Sequence, residues 1–420
     1  MFRVKTRCSS IRVTLSDFRT ILSGNVGIMA ISWFLFGISG SLTGPFFMLY
    51  AKSLGAQDFS IAVMRSIGML AFAFSTIIGG ILTDYIGRVK TIIIGTSIVA
   101  LTSFGYAFVK DWIQLSILWI IEQIAHFYAP ALMAIIMDSL QQNMVFKGFL
   151  VLNTFSAIPG LFMPVIGGIM YDTYGLTGIR YAFVTSGIIS TIVLILRIRF
   201  LRETLIVKNN GNNKFKSIIL DVIKYRDVLK IVLAVYVYTS VIGPIVSAVS
   251  STYGSIYVVE ILKISKTELG LLSSIGTATS IILGVLIASS RSINNKLAIT
   301  IASLSLTLSM ALFTLPGYLN KFILELLVLS TIFGSLHGVL IGPLLSTIMT
   351  RILPVEIRGR LIGIQRMFES FGASLSAVYA GLLYVYFGPI NSLLISTVTS
   401  IIVLPYLIFL YKFSGQSISQ

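Results

Sequence analysis

The chain has few of the residues on which catalysis and disulfide scaffolds usually depend. Cys8 is the only cysteine and there are two histidines among 420 residues, which excludes a disulfide framework and a cysteine metal site. His-Glu-x-x-His and Gly-x-x-x-x-Gly-Lys-Ser/Thr are both absent. The usual zinc-protease arrangement and the nucleotide-binding P-loop are therefore excluded as well. We expect a protein that is not an enzyme and binds no cofactor.

Charged side chains are also scarce. They make up 11% of the chain, whereas apolar residues make up 56% and the mean hydropathy is +0.94. A soluble domain carries about 25% charged residues. Apolar stretches of about 20 residues recur instead, each long enough to cross roughly 30 Å of hydrocarbon. They predict twelve transmembrane helices, at residues 24–50, 60–83, 90–109, 112–137, 148–171, 180–201, 229–258, 267–289, 297–317, 320–349, 361–385 and 388–411.

Lysine and arginine are unevenly divided between the two sets of predicted loops. If both termini lie inside the cell, 23 of the 31 basic residues fall in inner segments and seven in outer ones, with Arg366 inside a helix. This is the positive-inside bias of membrane proteins. We therefore interpret the net charge of +16 as a topology signal and not as a nucleic-acid-binding surface. It predicts a multi-pass protein of the cell membrane with both termini in the cytoplasm.

The longest hydrophilic stretch, residues 202–228, lies between the sixth and seventh predicted helices and is rich in lysine and asparagine. It predicts a basic cytoplasmic linker between an N-terminal six-helix bundle, residues 1–201, and a C-terminal one, residues 229–420. Residues 214–227 could form an amphipathic helix on the inner leaflet. A flexible tether is the alternative.

A short hydrophilic segment separates the second and third predicted helices. It reads Gly-Gly-Ile-Leu-Thr-Asp-Tyr-Ile-Gly-Arg-Val-Lys over residues 79–90, and its glycine pair should let two helices approach closely. The segment resembles the Gly-x-Leu-x-Asp-Arg-x-Gly-Arg signature of the major facilitator superfamily, a class of secondary transporters. Tyr85 replaces the usual arginine and Lys90 adds a base. The matching residues are Gly80, Leu82, Asp84, Gly87 and Arg88.

The resemblance implies an all-α integral membrane protein with twelve transmembrane helices in two pseudo-symmetric six-helix bundles. Transport by alternating access would follow, with substrate bound near the midplane between the bundles. The resemblance also implies an inner gate in which Asp84, with Arg88, contacts the start of the eleventh helix near Gly359. Asp138 is expected to join this gate through Arg88 or Lys147. Members of the superfamily are commonly monomeric, so a monomer is expected.

The fifth predicted helix carries Pro164, Gly167 and Gly168. They match part of the Gly-x-x-x-Gly-Pro-x-x-Gly-Gly pattern of the proton-coupled drug antiporters of the superfamily, although Met163 stands where a glycine belongs. The resemblance implies a kinked, closely packed helix that helps to seal the outer side of an exporter. Ordinary packing of small residues between helices is the alternative.

Ionisable residues inside a span are candidates for function, because charge in hydrocarbon is costly. Glu122 lies eleven residues past Asp111, which places it about 16 Å into the membrane at 1.5 Å per residue. His126 follows one helical turn later on the same face, and imidazole titrates near neutrality. The two residues could take up and release a proton, and the resemblance places the fourth helix beside the central cavity. A structural carboxyl held by neighbouring hydroxyls is the alternative for Glu122.

Three further candidates lie in the C-terminal half. His337, near the middle of the tenth span, is either a coupling group or a buried, hydrogen-bonded histidine. Arg366 and Glu369 are three residues apart on the eleventh span, so they can neutralise each other on one helical face. We expect a structural ion pair or a gate element there; a substrate anion bound to Arg366 is the alternative.

These features predict a secondary active transporter of a small organic solute, coupled to protons and exporting drug-like or metabolite compounds. Its partners would be that solute, protons and the lipid bilayer. Sugar or metabolite import by symport or uniport is the alternative within the class, which the scarcity of amide and carboxyl groups in the spans disfavours. A non-transporting membrane sensor with the same fold is the alternative from another class.

Overall fold

The computed structural model describes residues 21–141, 144–205, 226–289, 295–352 and 355–416, and no β-strand occurs among them. Eleven stretches of this part are long and apolar enough to span a membrane, and the last, Ile364–Lys412, has 49 residues. It would extend about 74 Å as one helix, far more than one crossing needs. Gly388 breaks it with a φ of 78°, so it holds two spans. The prediction of twelve transmembrane helices is confirmed for the described residues.

We number the twelve spans α1 to α12. The continuous ones are α2 (Asp58–Ile86), α3 (Arg88–Phe108), α6 (Leu176–Phe200), α8 (Lys266–Ser289) and α10 (Ile323–Ile352). The interrupted ones are α1 (Gly24–Thr43, Gly44–Phe46 and Phe47–Ser53), α4 (Trp112–Ala125, His126–Tyr128 and Ala129–Ser139), α5 (Val145–Ala157, Ile158–Leu161 and Met163–Tyr174), α7 (Arg226–Val237, Tyr238–Ile242, Gly243–Ile256 and Tyr257–Ile261) and α9 (Asn295–Thr314 and Pro316–Leu319). The remaining spans are α11, residues 355–387, and α12, residues 389–416, which includes Val403–Gln416.

Each of the five interrupted spans has a proline next to an interruption, and in α9 it is Pro316, the first residue of Pro316–Leu319. Pro45 and Pro159 fall within the 3₁₀ turns of α1 and α5, whereas Pro130 and Pro244 open the segments that follow the 3₁₀ turn of α4 and the first π turn of α7. Proline has no N–H, and its ring clashes with the carbonyl four residues earlier, so the helix must locally change its pitch. The sequence thus sets bends inside these spans.

The predicted linker, residues 202–228, is described only at its ends. Residues 206–225 lie outside the described residues, and with them most of the predicted amphipathic helix. The seventh span begins at Arg226, three residues before the predicted start at 229.

Most of the contact between the halves of the molecule is made by two helix pairs, α2 with α11 and α5 with α8. In a protein of two related six-helix bundles, α2 corresponds to α8 and α11 corresponds to α5. The contact of α2 with α11 is therefore related by the pseudo-symmetry to the contact of α8 with α5. We call the end of the bundle at which α2 begins the Asp58 end, and the opposite end, at which α3 begins, the Arg88 end. The charge distribution predicts that the Arg88 end is cytoplasmic.

The contact between α2 and α11 runs from the Asp58 end past the middle of the bundle. The hydroxyls of Ser66 and Ser374 lie 2.8 Å apart, and the rings of Phe74 and Phe371 meet edge to face at 5.5 Å. Phe74 is sixteen residues beyond Asp58, or about 24 Å along the helix axis. The two halves are therefore closed against each other over this distance.

The contact between α5 and α8 lies at the same end. The carboxylate of Asp172 accepts hydrogen bonds from the N–H groups of Lys266 and Thr267, at 3.2 and 2.7 Å, and from the Thr267 hydroxyl at 2.7 Å. An acid at a helix N-terminus satisfies free N–H donors and the helix dipole.

Buried apolar side chains follow the same division. The largest cluster joins residues of both halves near the Asp58 end, including Tyr50 from α1 and Tyr253 from α7. The other two clusters each belong to one half, within residues 21–201 and 231–410. The structure is thus closed at the Asp58 end, and each half has its own packed core toward the Arg88 end.

Candidate functional site

A cavity of about 330 Å³ lies among α1, α3, α4 and α6 of the N-terminal half. Five aromatic residues and five serine or threonine residues form most of its wall. Glu122 is the one charged residue among the described residues that line it. The full lining consists of Phe36, Ser39, Gly40, Thr43, Gly44, Phe47, Val99, Ser103, Tyr106, Trp119, Glu122, Phe183, Ser186 and Ser190.

The carboxylate of Glu122 is held by α3. The phenol of Tyr106 donates a hydrogen bond to Oε2 of Glu122. The backbone carbonyl of Tyr106 in turn accepts a hydrogen bond of 2.9 Å from the Tyr50 phenol, and its ring packs against Phe183 at 5.2 Å. These contacts fix the position of the Tyr106 phenol, and through its hydrogen bond they fix the position of the Glu122 carboxylate. Glu122 can accept and release a proton there while Oε1 remains available to a second donor.

His126 is joined to Glu122 through the backbone of α4. The 3₁₀ turn at His126 directs its N–H to the carbonyl of Gln123, which frees the Glu122 carbonyl to accept from His126 Nδ1 at 2.7 Å. Because a carbonyl only accepts, Nδ1 carries the hydrogen and Nε2 is left as the basic nitrogen. The ring stacks on Tyr128 at 5.8 Å. The structure therefore brings the two predicted residues together, but the contact is between the His126 imidazole and the backbone carbonyl of Glu122, not between the imidazole and the carboxylate.

Arg197 is a buried charge that the sequence interpretation missed. Its side chain is 1% exposed, and its guanidinium lies 5.2 Å from the Phe36 ring and 5.7 Å from the Tyr128 ring. It donates a hydrogen bond of 2.6 Å to the Thr96 hydroxyl. The sequence interpretation counted Arg197 among the 23 basic residues of the inner segments, but it is the last buried residue of α6. The position of Arg197 before the end of an apolar run was the feature of the sequence that could have indicated its burial.

The predicted gate residue Arg88 is bound within its own half. It forms an ion pair with Asp138 on α4 and donates to the Thr204 hydroxyl at 2.9 Å. Asp84 and Lys90 are exposed. The predicted partner near Gly359 belongs to a stretch of α11 whose side chains lie outside the described part of the chain.

Glu203, which was not among the predicted site residues, caps α3 at the same end. Its Oε2 accepts from the N–H of Val89 at 2.9 Å and its Oε1 from that of Leu205 at 3.0 Å. Burial raises the pKa of Glu203, but these backbone N–H donors outweigh it and hold the pKa below its ordinary value of 4.5. A Cβ at Gly87, where φ is +92°, would lie 2.8 Å from this carboxylate. Glycine at this turn is therefore required for two reasons: its positive φ and the close approach of the Glu203 carboxylate.

Of the two adjacent glycines on α2, only one serves close helix packing. A Cβ at Gly79 would lie 1.8 Å from the carbonyl oxygen of Phe127 on α4, whereas one at Gly80 would meet no atom within 4 Å. The expectation that the glycine pair brings two helices together is corrected in this respect. Gly80, the residue that matches the signature, faces open space.

The fifth-helix motif packs α5 between two neighbours at the Asp58 end. Pro164 lies in the first turn of Met163–Tyr174. A Cβ at Gly167 would lie 2.2 Å from the carbonyl oxygen of Leu42 on α1, and one at Gly168 would lie 2.4 Å from that of Lys266 on α8. The motif thus contributes directly to the closed contact between the halves.

The candidates of the C-terminal half do not line the cavity. His337 Nδ1 donates to the carbonyl of Ala302 on α9 at 2.8 Å. Glu369 accepts from Gln365 Nε2 at 2.9 Å, while Arg366 is exposed. No ion pair between Arg366 and Glu369 occurs in the described structure, because the amide one full turn away takes the carboxylate. No cluster of His, Cys, Asp or Glu suited to a metal occurs among the described residues either.

Residues 29–349 match the family model described as Major Facilitator Superfamily. The chain belongs to the major facilitator superfamily. It is 28% identical over 182 residues to the multi-drug resistance efflux pump PmrA from two strains of Streptococcus pneumoniae. That alignment covers 42% of this chain and 45% of the pump, so the match spans about half the length of these relatives.

Solved transporters share the superfamily fold with this chain. A POT family transporter in complex with a thioalcohol-conjugated peptide superposes with a TM-score of 0.75 at 14% identity, covering 92% of this chain and 96% of that one. The nucleoside transporter NupG superposes with a TM-score of 0.67 at 16% identity, covering 95% and 100%. At these identities the likeness concerns the fold alone.

Proposed function

We propose that this member of the superfamily exports small organic compounds across the cell membrane in exchange for protons, with Glu122 as the coupling carboxyl. The observation that carries this proposal is the position of Glu122, which Tyr106 holds in a cavity inside a membrane-spanning bundle. An ionisable group at such a position is costly and is usually kept for function. The protein works without a bound cofactor, and the proton gradient supplies the energy.

The proposed cycle alternates between closure of the two ends. In the described state the Asp58 end is closed by Ser66 with Ser374 and by Asp172 with the start of α8. If the Arg88 end faces the cytoplasm, as the basic residues predict, this is an inward-facing state. Opening of the Asp58 end breaks these contacts, and the gate of Asp84 and Arg88 closes the other end against α11.

The coupling step uses one carboxyl for two ligands. A proton from outside neutralises Glu122, and its release to the cytoplasm restores a carboxylate that attracts solute. Tyr106 keeps the carboxyl in place in both forms, since a phenol can donate to the carboxylate and accept from the protonated acid. His126 Nε2, one turn away, provides a second site for a proton in transit.

Export is favoured over import by two observations. The fifth-helix motif packs α5 against α8 at the predicted outer end, and the curated relatives that the chain matches over 182 residues are named multi-drug resistance efflux pumps.

The cavity is lined by aromatic rings and hydroxyls, with one carboxylate and no side-chain amide among its described residues. This lining suits an apolar organic compound better than a sugar. Because the described lining of the cavity comes from the N-terminal half of a single chain, we propose that a monomer is sufficient for transport.

The test uses purified protein in sealed proteoliposomes loaded with a pH-sensitive dye. A panel of cationic, neutral and anionic organic compounds and sugars is added to native protein, to Glu122→Gln and to Glu325→Gln, the same change at an exposed residue in the first turn of α10. We expect solute-dependent proton movement in the native protein and the Glu325 variant, and none in the Glu122 variant. Solute flux without proton movement, equal in all three, would overturn the coupling.

A further inference from the structure

We propose that the cavity in the N-terminal half binds a protonated primary or secondary amine carried on a compact apolar body. The inference rests on the proposed function in that the bound amine is taken to be the exported solute. It follows from three properties of the cavity: its charge, its aromatic wall and its unpaired hydroxyls.

The charge and the aromatic wall favour a cation. Glu122 supplies the negative charge, and no basic residue occurs among the described residues that line the cavity. The ring of Phe47 lies at the centre of an aromatic group, 5.5 Å from Tyr106, 5.8 Å from Trp119 and 6.2 Å from Phe183. Ring faces attract a cation within about 6 Å, more strongly when water is excluded. A carboxylate beside several rings therefore selects an organic cation over a neutral or anionic compound.

The charges behind the wall do not reverse this preference. The buried cation Arg197 lies behind Phe36, with its guanidinium 5.2 Å from that ring, and it does not line the cavity. The imidazole of His126 is turned to the backbone of its own helix. Glu122 therefore remains the one charged residue among the described residues that line the cavity.

The hydroxyls require that the cation carry N–H groups. Ser39 and Ser186 line the cavity, are 7% and 4% exposed, and have Oγ atoms without a hydrogen-bond partner in the described structure. A buried polar atom left unpaired is costly. An ammonium group with two or three N–H donors has enough donors for both the Glu122 carboxylate and a serine oxygen. A quaternary ammonium has no such donor and would leave the serine hydroxyls as they are.

The size of the cavity limits the apolar body. About 330 Å³ is near the lower end of the range of small-molecule pockets, roughly 300–1,000 Å³. The α1 side of the wall includes Gly40 and Gly44, which are exposed and at which a Cβ would meet no atom within 4 Å. These glycines leave the space into which the body of the ligand fits, and a larger side chain there would occupy it without displacing a neighbour.

Equilibrium binding to the purified full-length protein tests the inference apart from transport. Isothermal titration calorimetry is run with phenethylamine and amantadine, each compared with its trimethylammonium and its alcohol analogue. We expect both amines to bind, the trimethylammonium analogues to bind at least about tenfold more weakly through loss of the N–H bonds, and the alcohols to show no measurable binding.

Variants locate the site. Glu122→Gln removes the charge and Gly40→Leu fills the cavity, and both should abolish amine binding while the protein remains folded by its melting temperature. Gly40→Leu keeps the test decisive if the Glu122 variant does not fold. Glu325→Gln, which changes an exposed acid outside the cavity, should bind like native protein. The double variant Ser39→Ala, Ser186→Ala should reduce the preference for amines over their trimethylammonium analogues.

Four results would overturn the inference. Equal binding of amine and trimethylammonium compounds would remove the N–H requirement, and equal binding of the alcohols would remove the requirement for charge. Absence of amine binding, or binding that survives Gly40→Leu, would remove the site itself. Proton-coupled flux of other compounds in proteoliposomes would then still support the exporter, so failure of the amine site and failure of the proposed function are distinguishable.

Discussion

Tyr106 on α3 donates a hydrogen bond to the carboxylate of Glu122 on α4, inside a cavity whose described lining comes entirely from the N-terminal half. The contact connects an ionisable group to the packing of the helices around it. Its donor is held in turn by Tyr50 of α1 and Phe183 of α6. Glu122 is thus connected by contacts to three neighbouring helices, α1, α3 and α6.

Tyr106→Phe should weaken proton coupling and leave the fold intact. The phenyl ring keeps its contacts with Phe183 and Phe47, whereas the carboxylate of Glu122 loses the donor that fixes its position. We expect solute-driven proton movement to slow several-fold and the stability to fall by about 1 kcal/mol, the net value of one hydrogen bond. Tyr181→Phe, a change at a residue that is 56% exposed, serves as the control. Initial rates equal to native in both variants would show that the hydrogen bond has no role.

The adjacent glycines of α2 should respond differently to alanine. Gly79→Ala places a methyl group against the carbonyl oxygen of Phe127, where a Cβ would be 1.8 Å away, whereas Gly80→Ala meets open space. Overpacking of this kind costs about 1–3 kcal/mol, so the melting temperature of the Gly79 variant should fall by several degrees. The Gly80 variant should melt like native protein or slightly higher, because alanine favours helix. Equal melting temperatures of the two variants would contradict the packing of α2 against α4.

A disulfide across the closed end should arrest transport. Ser66 and Ser374 lie with their hydroxyls 2.8 Å apart, close enough for a disulfide after local adjustment. In a Cys8→Ser background, which removes the only native cysteine, the pair Ser66→Cys and Ser374→Cys should cross-link on oxidation and stop solute flux. Reductant should restore it, and either single variant should be insensitive to oxidant. Full flux through the cross-linked protein would show that this end need not open.

The cap formed by Glu203 predicts a pH-dependent stability. Its pKa is lower in the folded protein than the ordinary value of 4.5, so its stabilising contribution is present above that value and is lost as pH falls through the lower folded value. The melting temperature of native protein should therefore exceed that of Glu203→Gln at neutral pH, and the difference should shrink below about pH 5. Glu325→Gln is the matched control. A difference that is constant or grows on acidification would contradict the cap.

Much of the fold could be predicted from the sequence because its strongest constraint is local. An apolar run must be long enough to cross the bilayer, and its backbone must be satisfied within the helix. The break between α11 and α12 was predicted in the same way, and the structure marks it at Gly388. The signature around Asp84 identified the family from a few residues at fixed spacing, because a tight turn between two closely packed helices tolerates few alternatives.

The contacts of individual side chains could not be predicted from the same pattern. Gly79 and Gly80 are indistinguishable in sequence, and only the position of α4 shows which of them packs. Arg197 resembled a loop residue because its burial depends on rings from α1 and α4. Glu203 caps a helix more than a hundred residues earlier in the chain, and no local pattern carries that information.

The most direct test of coupling at Glu122 measures solute content and internal pH together in sealed proteoliposomes while the imposed pH gradient is reversed. We predict that native protein moves solute uphill against the proton flow, that reversal of the gradient reverses the direction, and that Glu122→Gln does neither. Solute movement that follows only its own concentration gradient, unchanged by reversal and by the Glu122 variant, would contradict proton-coupled export and leave Glu122 a structural residue.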